Sequence, residues 1–283
     1  MEGTDRGIWM TWYNLPEAGR DDYLAWLHGH YIPNMLKLPG YLWGAHFASE
    51  SNVKMTGAPN RLGHVNDPSI PTGDRYILLF GAKDAHVFVN PTPAQMRARL
   101  SDTDKKMLAM RIGERYNIAT EEARIYGPEF ESAKAAMGPG LAPGIQLGSF
   151  NAGPGQDEDE LAAWYAQWRL PSMEKLPGCV RVRKYASVSG WAKHMILYEF
   201  TSTRARDGSF VATIHAEPSH GLHESDLECW ASREGEFWRK LGTPAPHDPD
   251  SFIREHGADA FARSVGSAAT CSASRGAAQK PRG

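Results

Sequence analysis

The residues best suited to chemistry in this 283-residue chain lie near its start, in Trp26-Leu27-His28-Gly29-His30-Tyr31-Ile32-Pro33. Trp26 and His30 stand at i and i+4, so a helix through them puts indole and imidazole on one face. An imidazole near its ordinary pKa of about 6.5 takes and returns a proton near neutrality. His30 is therefore the first candidate for a general acid or base. His28 falls on another side of such a helix and reads as solvated. Glu199 is the second candidate, because it stands inside the apolar run His194–Phe200, where a carboxylate is costly unless paired.

Aromatic residues are abundant, with 9 Trp, 10 Tyr and 10 Phe, and rings in such numbers can line an apolar pocket. Strand alternation sorts them. In the run Ile8–Tyr13, Ile8 and Met10 are assigned to the helix side, which turns Trp9, Thr11 and Tyr13 toward a cavity between sheets. In Tyr41–Ala48 the same alternation turns Tyr41, Trp43 and Phe47 inward, opposite Arg181 and Arg183 of a later strand. Trp9, Tyr13, Trp26, Tyr41, Trp43, Phe47, Arg181 and Arg183 are accordingly the expected substrate-binding residues. An aromatic wall facing two arginines suits an aromatic molecule with a carboxylate or phenolate. The alternative is that the two arginines pair with local carboxylates.

Other chemistries are weakened. The His28/His30 and His215/His220/His223 groupings lack zinc-site spacing, so no metal is expected, and no phosphate loop, dinucleotide fingerprint or nucleophile elbow occurs. Lys+Arg number 31 against 33 Asp+Glu, for a net charge of -2, which gives no basic field for nucleic acid or an anionic membrane. No apolar run is long enough to span a bilayer. Three cysteines without C-x-x-C spacing, and no signal-like N-terminus, point to a reducing cytoplasmic setting. The expected partner is a small molecule, with a homodimer left open.

The elements that must position these residues come in two sets. Residues 7–49 align with 144–187: Asn14 meets Asn151, Trp26 meets Trp164, Pro33 meets Pro171, and Leu38-Pro39-Gly40 meets Leu176-Pro177-Gly178. Each set reads as a strand, a helix with an acidic first turn that Leu-Pro-Gly stops, and two more strands, at Tyr41–Ala48 and Arg75–Phe80 or at Cys179–Ala186 and His194–Phe200. In the first set a helix between Pro93 and Arg115 and a strand near Glu122–Tyr126 follow. The β-α-β-β-α-β order is the ferredoxin-like unit. The expected fold is α+β, two ferredoxin-like repeats packed sheet to sheet as an intramolecular α/β barrel. Its divisions are a first repeat over 1–137, a linker at 138–143, a second repeat over 144–263 and a disordered tail over 264–283; Glu50–Gly73 reads as a long loop.

With its Trp, three-residue gap, His and nearby Pro, the helix of Trp26 and His30 resembles that of EthD-like members of the dimeric α/β-barrel superfamily. Trp164 is followed by Trp168 where the second His would stand, which favours a single active cavity in the first half. That superfamily holds cofactor-free oxygenases, cyclases, isomerases, lyases and haem proteins. The resemblance implies a cofactor-independent enzyme of lyase, isomerase or cyclase type, with His30 moving a proton on a hydrophobic, aromatic small molecule. The alternatives are a haem-dependent or cofactor-free oxidoreductase, and a non-catalytic binding protein.

Overall fold

The computed structural model describes residues 5–49, 69–152 and 155–205, together with the backbone of two short strands at Leu227–Cys229 and Phe237–Lys240. Most of the expected long loop, the expected tail and His215, His220 and His223 lie outside the described residues.

The chain begins with β1 (Gly7–Asn14), followed by α1 (Arg20–Trp26), a π-helical turn (Leu27–Tyr31) and α2 (Ile32–Met35), which run on as one rod. Asp21 and Asp22 occupy the first turn of α1, where the helix dipole favours carboxylates. The π turn sits just before Pro33, whose missing N–H and bulky ring disrupt the regular ladder one turn back. The second half repeats this arrangement. After β5 (Gly144–Ala152) come α6 (Gly155–Trp164), a π turn (Tyr165–Arg169) just before Pro171, and α7 (Leu170–Met173). Both Leu-Pro-Gly stops use a left-handed glycine, Gly40 at φ 86 and Gly178 at φ 84.

The remaining strands are β2 (Tyr41–Ser49), β3 (Tyr76–Ala82), β4 (Ile112–Tyr126), β6 (Cys179–Gly190), β7 (His194–Phe200), β8 (Leu227–Cys229) and β9 (Phe237–Lys240). Helices α3 (Pro93–Arg99) and α4 (Asp102–Leu108) lie between β3 and β4, and α5 (Phe130–Met137) follows β4. Hydrogen bonding links the first-half strands in the order β4-β1-β3-β2 and the second-half strands in the order β6-β7-β5-β9. β4 pairs with β6, and β2 with β9, so the antiparallel strands close a ring.

Closure makes two environments. Inside the ring Ile8, Met10, Trp12, Trp43, Phe47, Ile77 and Leu79 interlock with Ile145, Leu147, Tyr185, Met195 and Leu197. Outside it, a layer of the first half packs Trp9, Tyr13, Leu78 and Phe80 against Tyr23, Leu27, Tyr31 and Met35 of the helical rod. The assignment of β1 is thereby reversed: Ile8 and Met10 point into the ring, and Trp9 and Tyr13 point to the helices. Both faces of β1 are buried, so hydrophobic alternation does not mark which is inner. On β2 the inward assignment holds for Trp43 and Phe47. Tyr41 is turned to the helix layer by a bulge between Tyr41 and Trp43.

Two other expectations are revised. The helix assigned up to Arg115 ends at Leu108, and the strand expected near Glu122–Tyr126 starts at Ile112. β4 needs this length because its first part pairs with β1 and its last part with β6. The Gly138–Pro143 segment is held down, with Leu141 in the ring interior and the Ala142 N–H donating to Glu199 at 3.1 Å.

Candidate functional site

The charged residues expected at a substrate are locked to one another inside the ring. Arg181 donates through Nε and Nη2 to the two oxygens of Glu199 at 2.7 and 2.9 Å, and Arg183 Nη2 lies 3.1 Å from the same carboxylate. Arg183 Nη1 also donates to Asp5 at 2.9 Å, and Trp43 Nε1 donates to the same Asp5 oxygen at 2.8 Å. Glu199 is fully buried. Burial opposes its charge, but Arg181, Arg183 and the Ala142 N–H outweigh that and hold its pKa below the ordinary carboxylate value. It is a committed ion-pair partner, and the local-pairing alternative for Arg181 and Arg183 is the one adopted. Trp43 and Phe47 belong to the packed interior beside them.

His30 is placed on the outer side of the helical rod. Its side chain is 54% exposed, its Nε2 lies 3.2 Å from Asp104, and Asn34 reaches its ring. Trp26 donates to the same Asp104 at 2.9 Å while its ring packs on Tyr23 and Tyr31. The i, i+4 relation thus brings Trp26 and His30 together on one carboxylate of α4.

His28 is the more enclosed of the two histidines. Its Nε2 lies 2.9 Å from Nδ1 of His46, and Nε2 of His46 lies 2.8 Å from the Tyr13 hydroxyl. The His46 ring lies nearly parallel to those of Tyr13 and Tyr76, at interplanar angles of 5° and 20°, the three forming one cluster. Burial, with His28 and the Arg111 cation adding to it, holds the pKa of His46 well below 6.5, and burial lowers that of His28. The row of polar groups continues inward. Tyr13 meets Tyr23 edge to face, Arg111 Nε donates to the Tyr23 hydroxyl at 2.7 Å, and the Arg111 guanidinium lies 4.4 Å from the centre of the Tyr13 ring.

Arg111 forms part of the wall of a cavity of about 560 Å³ between the outer face of the first-half sheet and its helices. Trp9 and Thr11 of β1, Tyr41 of β2, Tyr31 and Met35 of the rod, and Met96 of α3 contribute to that wall. Trp9 and Tyr41 thus line a cavity on the helix side of the sheet, not the expected one between the sheets. Sequence reading missed Arg111 and Glu114. They sit at the mouth of β4, in a charged stretch that reads as helix surface. Glu114 accepts from Arg111 Nη1 at 2.7 Å and from Arg97 Nη2 at 2.6 Å. Burial works against its charge, but these two cations lower its pKa below the ordinary value.

The described residues lining this cavity include no histidine. Among the described residues no group of three or more His, Cys, Asp or Glu is arranged to hold a metal ion, and no helix is long and apolar enough to cross a membrane.

No family model matches the chain, and no curated protein matches its sequence. Solved structures do. An anthrone oxidase-like protein superposes with a TM-score of 0.51 at 8% identity, covering 88% of this chain and 96% of its own. A chlorite dismutase from Candidatus Nitrospira defluvii superposes with a TM-score of 0.46 at 8% identity, over 89% of this chain and 95% of its own. The first of these likenesses shows a shared fold, an α+β architecture of antiparallel strands with helices outside them.

Proposed function

We propose that this chain is a small-molecule enzyme whose active site is the cavity of the first half, and that it moves a proton on a hydrophobic, aromatic substrate. The observation that carries this reading is the cavity itself, an apolar and aromatic enclosure into which one carboxylate and its cationic partners are set. Glu114 is the carboxylate on that wall. Its two arginines weaken it as a base, but unlike the sealed Glu199 its side chain is 21% exposed on the cavity wall, so it can meet an acidic C–H, while the Arg111 cation offsets the charge that develops on the substrate. His30, outside the lining, is not given the role of base. The repeated strand order, the paired π turns and the paired left-handed glycines support a tandem duplication of one ferredoxin-like unit, with the cavity retained in the first copy.

Deuterium incorporation from D2O into an enolisable aromatic ketone, 2-tetralone, tests this by mass spectrometry. The protein should raise the exchange rate over buffer, and Glu114→Gln should remove roughly 10²-fold or more of that gain. His30→Gln should keep it within about twofold, because a solvated side chain off the cavity wall touches no reacting atom. Exchange at the buffer rate with the wild-type protein sinks the proton-transfer reading. A second reading is favoured by the name of the anthrone oxidase-like neighbour, that the carbanion so formed is oxidised. Oxygen uptake in the same reaction selects it.

A further inference from the structure

Two residues of the cavity wall each carry a buried hydrogen-bond donor that has no partner among the described residues, Arg111 through Nη2 and Trp9 through Nε1. The Arg111 side chain is 4% exposed and Trp9 is 8% exposed. A donor removed from water with nothing to bind is destabilising, and more so when it carries charge. The rest of Arg111 is fully engaged. Nε is held by Tyr23, Nη1 by Glu114, and the plane lies over Tyr13, so the guanidinium is fixed with one edge left unused.

The charge around it is unbalanced in the same sense. Arg97, Arg99 and Arg111 all line the cavity, and Glu114 is the single carboxylate among the lining residues. That carboxylate is shared between two of the three arginines. The wall therefore carries a net positive charge in an otherwise apolar enclosure, where a cation attracts an anion more strongly than it does in water.

The two spare donors are set apart. Trp9 and Tyr13 lie on the same face of β1, four residues or about 13 Å apart along the strand, and Arg111 covers the Tyr13 end. We propose that the cavity binds a flat aromatic molecule end to end, with an anionic oxygen on Arg111 Nη2 and a second, hydrogen-bond-accepting oxygen at Trp9 Nε1. The substrate class is an aromatic carboxylate, phenolate or enolate with a further oxygen at the far side of its ring system. This inference rests on the proposed active cavity and adds to it the charge and span of what enters.

Calorimetric titration with 2-naphthoate, 6-hydroxy-2-naphthoate and the neutral 2-naphthamide tests it. The naphthoate should bind at least about tenfold more tightly than the naphthamide, as one added charge-assisted hydrogen bond implies. The 6-hydroxyl should add a further few-fold. Arg111→Met should abolish the preference for the anion, and Trp9→Phe should abolish the gain from the hydroxyl while leaving the anion preference in place. Equal affinity of wild-type protein for naphthoate and naphthamide overturns the inference and leaves the aromatic cavity standing. No binding of any of the three overturns the cavity reading as well. The wild-type comparison decides even if Arg111→Met fails to fold, and a hydroxyl gain unchanged in Trp9→Phe overturns the role given to Trp9.

Discussion

At the scale of single residues, placement separates groups that the sequence presents alike. His28 and His30 stand two positions apart, yet one is joined to the buried His46 and the other is on the surface with Asp104. The buried pair has a consequence for stability. The native pKa of His46 lies well below 6.5, and that of His28 is also lowered, so the folded protein resists protons that the unfolded chain accepts. Their contribution is complete above pH 6.5 and is lost as pH falls from there toward the native values, at up to about 1.4 kcal/mol per pH unit for each group. Urea unfolding at pH 7.5 and pH 5.0 should show the decline, and His46→Phe should be less stable at pH 7.5 but flatter with pH. An unchanged pH slope in that variant means the acid sensitivity arises elsewhere. Glu199 is the opposite case, a buried carboxylate that reads as reactive in isolation and is neutralised by two arginines from the neighbouring strand.

At the scale of elements, what was legible in the sequence is what local chemistry determines. The rod of Trp26 and His30 could be placed because acidic residues start it and Leu-Pro-Gly ends it, and His194–Phe200 because every residue in it but one is apolar, aromatic or half-aromatic. The faces of β1 were not legible, because a strand buried on both sides carries no polar alternation to mark the inner one. The end of β4 was legible, as a strand near Glu122–Tyr126, but its start was not: Glu114 and Arg115 look like the end of a helix until the pairing of this stretch with β1 is known. Arg111 became visible as a site residue only once β4 began at Ile112. Gly81 shows the same dependence on the third dimension. It is an unremarked residue of β3, yet a Cβ added there would fall within the indole of Trp43, which lies across it from β2. Gly81→Ala must displace that ring and with it the Trp43–Asp5 hydrogen bond, so it should cost about 1–3 kcal/mol or more. Thermal unfolding reads this directly, with a melting temperature equal to wild type as the contrary result.

At the scale of the whole molecule, the ring interior is what joins the two halves. Ile8, Met10, Trp43 and Phe47 from the first half meet Ile145, Leu147, Met195 and Leu197 from the second in one continuous apolar layer. Each large side chain buried there contributes roughly 1.5–3 kcal/mol, so neither sheet can be left uncovered without losing most of its stabilisation. Polar groups are committed across the same boundary: Asp5 and Trp43 of the first half depend on Arg183 of the second. The long strand β4 adds a main-chain seam, since the residues from Asn117 to Tyr126 hydrogen-bond to β6. A polypeptide ending at residue 137 would keep the cavity lining, because Trp9, Tyr41, Arg111 and Glu114 all precede that point. It would also expose an apolar sheet face and an open β4 edge, which is a template for pairing with another chain. The expected behaviour of that fragment is self-association, a second copy taking the place of residues 138–283, and sedimentation equilibrium should find a dimer or larger species at micromolar concentration. A folded, monodisperse monomer in the same measurement would mean that the first sheet is stable by itself and that the shared interior is not what couples the halves.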